Sequence, residues 1–217
     1  MTRSPRARAS TPEPRSRRVE VSKKAQRSAR TREALLTRCL HLFAQRGFSS
    51  TSVDDVATAA GVTKGAMYWH FSSKEEIFHA ILDRIRQQWQ EIVHVPVSAK
   101  SSPDAQLAQL FDAYAELFHK SPDICLFLQQ VTLDRQNKAF AARVGKVFGS
   151  TARFIAAIID EGKARRVMRA DVDSLTTAHM ILGMLAGASQ QATATRNRTL
   201  EQLIAEAKAM TLAHLAR

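Results

Sequence analysis

Between residues 51 and 74 the chain gathers Thr51, Ser52, Thr63, Lys64, Gly65, Tyr68, Trp69, His70 and Lys74. Hydroxyls, ammonium groups and ring N–H groups are donors, and such a density of donors suits an anion or a base edge. Bond-breaking chemistry needs other sets. The seven histidines are dispersed, and His79 and Asp83 stand four apart with no third ligand at a recognisable spacing. There is no nucleophile elbow, Walker loop or dinucleotide glycine pattern. The sequence therefore predicts no enzyme, no metal site and no cofactor.

The donors need helices to hold them, and the sequence marks these by caps. Leu35, Leu36, Cys39, Leu40, Leu42 and Phe43 recur at helical spacing from Thr31 and stop at Gly47. Ser52 with Asp55 three residues later opens a second helix, which ends at Gly61. Thr63 caps a third running from Lys64 to about His70, and Ser73 with Glu76 caps a fourth from Lys74 to about Val93. Ala57 is small where two helices must cross, Gly61 allows a positive φ, and Val62 fills the angle between them. This is a helix-turn-helix, with Lys64, Gly65, Tyr68 and Trp69 outward and Met67 and Phe71 inward. The N-terminal end of such a helix fits the DNA major groove.

The run TSVDDVATAAGVTKGAMYWHFSSKEEIF, residues 51–78, together with Gly47-Phe48, resembles the DNA-binding domain of the tetracycline-repressor (TetR) family of bacterial regulators. The likeness extends from Thr31 to Phe78, and the YWHF variant is similar to regulators of multidrug efflux. The resemblance implies that Thr51, Ser52 and Lys74 meet phosphates, as Thr63, Tyr68 and His70 do from the third helix. Lys64 would donate to guanine, Gly65 would let the backbone approach a base edge, and Trp69 would pack on sugar and phosphate. Each also has a purely structural reading. The hydroxyls are needed as caps, the lysines can be solvated charges, and Tyr68 to Phe71 can be a core-edge cluster.

The remaining sequence predicts an all-α chain of about nine helices. Later ones fall near residues 103–120, 122–132, 137–165, 173–191 and 200–216. Glycine and proline are sparse, at 8 and 6 residues, and aromatics make up 6%, which counts against an all-β fold. Residues 1–29 are rich in Arg, Ser and Pro and are expected to be a disordered basic arm, followed by a DNA-binding domain at 30–75 and a helical domain at 76–217. Of the net charge of +12, residues 1–32 hold +9, so a polyanion is the expected partner. Cys39 and Cys125 read as buried thiols, and no segment spans a membrane, so a cytoplasmic location is expected.

The resemblance further implies that the C-terminal part forms a homodimer and holds a ligand pocket. Ala178, Gly183, Ala186 and Gly187 permit close helix approach beside the apolar stripe Leu200, Leu203, Ile204, Ala207, Met210 and Leu215. Candidate pocket residues are Trp89, Phe111, Tyr114, Phe118, Phe127, Phe148, Met180 and Met184, with Gln129 and Gln130 as polar groups. The function expected is a ligand-responsive repressor that binds a palindromic double-stranded DNA operator and is released by a small, largely apolar effector. Two rivals are a helical protein binding anionic membranes through its basic arm and a non-specific architectural DNA binder.

Overall fold

The computed structural model describes residues 15–133, 138–195 and 199–217, with side chains from residue 23 onward except 132–133. Nine helices are present among the described residues: α1 (Arg15–Arg46), α2 (Val53–Ala59), α3 (Lys64–His70), α4 (Lys74–Trp89), α5 (Pro103–Lys120), α6 (Pro122–Leu133), α7 (Lys138–Ala164), α8 (Ser174–Ala194) and α9 (Leu200–Leu215). The only extended pairing described is an isolated bridge between Met168 and Ala216. One contiguous buried cluster runs from Leu35 to Leu215, so the later helices share their core with the helix-turn-helix.

The caps fall where local chemistry places them. Ser52 and Asp55 satisfy each other's backbone N–H, Thr63 accepts from Ala66 N, and Ser73 accepts from Glu76 N. The Glu76 carboxylate reaches one residue further back and takes the Ser72 N–H at 2.7 Å. Gly47 and Gly61 have φ of +84° and +66°, the left-handed turns that end α1 and α2. Both cysteines are buried and free.

Two boundaries differ from expectation. Residues 15–29, expected to be disordered, are the first part of α1; residues 1–14 of that arm lie outside the described residues. Arg, Lys, Gln and Ala favour helix, and the turn anchored by Leu35 and Leu36 extends backward with little nucleation cost. Helix α4 also runs past Val93, through a π-turn (Gln90–His94) and one more α-turn (Val95–Ser98). Val95 N donates to Gln90 O, five residues back, immediately before Pro96. The widened turn shifts the carbonyl ladder and gives the proline ring room, so a residue expected to end the helix is absorbed.

Helix α1 packs on α6 and α4, α7 on α8 and α6, and α9 on α8 and α5. A chain of rings joins the halves: Phe48 meets Phe43, Phe78 and Phe140 at 5.0, 5.3 and 4.7 Å. Near the C-terminus, α7 leads into a loop where Arg166 takes φ 58° and Arg169 N bonds Leu215 O at 3.0 Å. Gly162 lies so close beneath Met168 that a β-carbon there would collide with its thioether.

Candidate nucleic-acid interface and ligand cavity

Helix α3 buries Met67, which with Phe71 just beyond its end anchors the helix in the core, and turns its other face outward. Tyr68 is 45% and Trp69 70% exposed, unusual for large apolar rings unless a partner covers them. Trp69 meets the His70 ring edge-on at 4.6 Å. A β-carbon on Gly65 would meet nothing, so internal packing does not require this helix-weakening glycine.

Thr51, Ser52, Lys64, Tyr68 and Lys74 come together around a shallow cleft of about 390 Å³, joined by Ser49, Ser50 and Asp54. The last three were missed in the sequence; their position beside the cap was the available signal. Lys64 Nζ lies 2.7 Å from Asp54 Oδ2, and that hydrogen bond raises the ammonium pKa. Lys74 Nζ stands 4.3 Å over the Phe48 ring and 3.4 Å from Ser49 O, which fixes the cation at the mouth of the cleft. Ser52 gives both its N–H and its hydroxyl to Asp55 Oδ2, holding that carboxyl below its usual range. Thr63 stays on the exposed surface as the α3 cap.

Thr51 does not fit a phosphate role. It is 1% exposed, its hydroxyl donates to Gly47 O at 2.9 Å, and its N–H bonds Phe48 O. The side chain locks the α1–α2 turn, leaving no donor for DNA.

A second cavity, about 1310 Å³, lies among α1, α4, α5, α6, α7 and α8. Of the candidate pocket residues, Trp89, Tyr114, Phe118, Phe148 and Gln129 line it. Burial pushes the Tyr114 phenol up to about 12, so it remains a neutral donor. The nearby Trp89 indole N–H is buried without a hydrogen bond of good geometry. Phe154 and His94 complete an aromatic wall, at 5.5 and 5.3 Å from Trp89. Val147, Thr151 and Phe154 join Phe148 at helical spacing on α7, and that spacing around Phe148 was the signal available in the sequence for all three. Leu36 of α1 also lines the cavity, so the chamber touches a helix that packs against the helix-turn-helix.

Five expected pocket residues lie elsewhere. Phe111 is fully buried in the α5 core, and Phe127 packs between Phe43 and Phe78. Gln130 is exposed near Gly47. Met180, 63% exposed, lies on the outer face of α8 with Gly183, rotated away from the cavity-lining Leu182, Leu185 and Ala186, and Met184 is half-buried against the core outside the cavity lining.

A family model described as bacterial regulatory proteins, tetR family, matches residues 35–81, and one described as tetracyclin repressor-like, C-terminal domain, matches residues 103–208. The chain belongs to the TetR family. The chain is 49% identical over 59 residues to the HTH-type transcriptional regulator AcrR of Shigella flexneri, covering 27% of each protein. It is 41% identical over 66 residues to the HTH-type transcriptional repressor BepR of Brucella suis biovar 1, covering 30% of this chain and 32% of that one. The aligned stretches thus span about a quarter to a third of these relatives. Among solved structures, the MbdR regulator from Azoarcus sp. CIB superposes with a TM-score of 0.75 at 22% identity, covering 85% of this chain and 98% of that one. KstR2 of Mycobacterium tuberculosis gives 0.67 at 22%, covering 86% and 95%. Both likenesses are of fold. The TetR family consists of DNA-binding regulators, not enzymes, in keeping with the absence of a catalytic pattern in the sequence.

Proposed function

We propose that this TetR-family protein is a cytoplasmic, ligand-responsive repressor that binds a palindromic DNA operator as a homodimer and releases it when a small, largely apolar molecule fills the cavity. The observation that carries this reading is the outward face of α3, where Lys64, Gly65, Tyr68 and Trp69 stand exposed between the Thr63 hydroxyl and the cleft cation Lys74. Donors, cation and exposed rings in that order suit phosphate, base edge and sugar. Thr63, Tyr68, His70 and Lys74 are the phosphate-facing set, Lys64 and Gly65 face bases, and Trp69 covers the backbone, whereas Ser52, with both of its donors given to Asp55, serves as the α2 cap.

The dimer reading is supported by the outer face of α8 and α9, where Gly183 and Gly187 have open space and Met180 and Met210 are exposed. A two-fold dimer holds its recognition helices about 34–36 Å apart, or a multiple of the helical turn, to enter successive grooves. Helix α4 lines the cavity at its C-terminal end and carries Lys74 at its start, so a ligand that favours a tilted α4 lowers operator affinity. No described helix is long and apolar enough to cross a membrane.

Titration of a labelled operator in the presence of cavity ligands tests the reading. A tight ligand must weaken operator binding, and Ala186→Trp, which fills part of the cavity, must blunt the release. Ligands that occupy the cavity without changing operator affinity would contradict it.

A further inference from the structure

Asp54 puts a carboxylate on the surface assigned to DNA, where phosphates repel it. It occupies the first turn of α2, and its Oδ2 holds the Lys64 ammonium at 2.7 Å across the helix-turn-helix. The two side chains are 54% and 61% exposed on the wall of the cleft. Fold stability does not call for the pair, because exposed ion pairs contribute little. Nor is Asp54 the cap of α2, which Ser52 and Asp55 already complete.

We infer that Asp54 is a specificity-determining residue that makes, with Lys64, a single donor–acceptor reader of a G·C base pair. The inference rests on Lys64 being the base-facing residue of α3. In the major groove guanine offers acceptors at O6 and N7, and cytosine offers the N4 amino donor beside them. The Lys64 ammonium suits the first and the Asp54 carboxylate the second. A phosphate has only acceptors, so it competes with Asp54 for the ammonium and gives the carboxylate nothing. Asp54 therefore restrains Lys64 from neutralising phosphates at random and rewards only an edge that supplies both partners.

The test is selection from a random DNA pool, with salt-dependent binding, on full-length wild type, Lys64→Ala, Asp54→Ala and Asp54→Asn. The wild type selects a G·C pair at one position of each half-site, and Lys64→Ala and Asp54→Ala relax that same position, each lowering discrimination there about tenfold. Asp54→Ala binds random DNA more tightly, and its log K against log salt steepens by about 0.9 per subunit as Lys64 becomes free to meet a phosphate. Asp54→Asn keeps an acceptor for cytosine, so it retains the position while gaining affinity for random DNA; it also serves should the alanine variant not fold. Relaxation at different positions, or unchanged random-DNA affinity in both Asp54 variants, would overturn the role of Asp54. An inverted repeat that persists while Asp54→Ala changes nothing defeats only this inference, whereas failure of the wild type to select any inverted repeat defeats the regulator reading itself.

Discussion

Phe78 of α4 and Phe140 of α7 stack nearly parallel, with centroids 4.1 Å apart and planes inclined by 13°. Phe48 packs edge-on against both, and Lys74 sits over Phe48. A cation at the cleft beside α3 is thus linked through rings to α7, a helix that lines the large cavity. Phe140→Leu keeps apolar bulk but removes the stacked face. It is expected to lower stability by about 1–2 kcal/mol in urea denaturation. It should also weaken the effect of a cavity ligand on operator affinity, while each ligand still binds. An unaltered ligand response would mean that coupling takes another route.

Gly65 has helical backbone and open space above it. Alanine fits there without strain, so Gly65→Ala should raise stability by about 0.5–1 kcal/mol, read as a higher melting temperature. The added methyl group would stand where a base edge approaches, and operator affinity should fall. A variant that is more stable and binds the operator as well as wild type would place Gly65 outside the interface.

The caps were legible because they are local. Ser52 with Asp55, Thr63, Ser73 and the two glycine turns depend on neighbours within four residues, and the sequence spells them out. Facing was not legible. Thr51 and Ser52 are adjacent hydroxyls, yet Thr51 turns inward and Ser52 outward because the α1–α2 turn folds over the first. In the same way Phe118 and Phe148 line the cavity while Phe111 and Phe127 fill the core, a difference set by tertiary packing. The π-turn before Pro96 has no composition signal of its own.

Burial raises the Cys39 thiol from 9.0 to about 12 and the Tyr114 phenol from 10.0 to about 12. Between those values the unfolded chain has released these protons and the folded chain keeps them, so stability falls as pH rises from 9 towards 12. The urea midpoint should decline over this window. Tyr114→Phe should make the decline shallower above pH 10. A slope identical to wild type would show that the phenol ionises freely in the folded protein.

Residues 1–29 carry nine basic against two acidic side chains. The described residues 23–31 are almost wholly exposed, and the buried face of α1 begins at Leu35, so deletion of residues 2–29 should spare the core. We expect specific and random DNA to bind more weakly together, with a salt slope shallower by about 0.9 for each phosphate that the arm neutralises in the intact protein. Unchanged affinity and slope would make the arm a solubilising segment; weakened liposome binding with normal DNA binding would support a membrane role.

The proposed repressor function requires α3 from each half of a two-fold dimer to read DNA sequence. Selection of bound duplexes from a random pool by the wild-type protein tests it most directly. The expected result is an inverted repeat whose half-site centres lie about 10–10.5 base pairs, or a multiple of that, apart. Recovery of unselected sequence, or of a motif without two-fold symmetry, would contradict it.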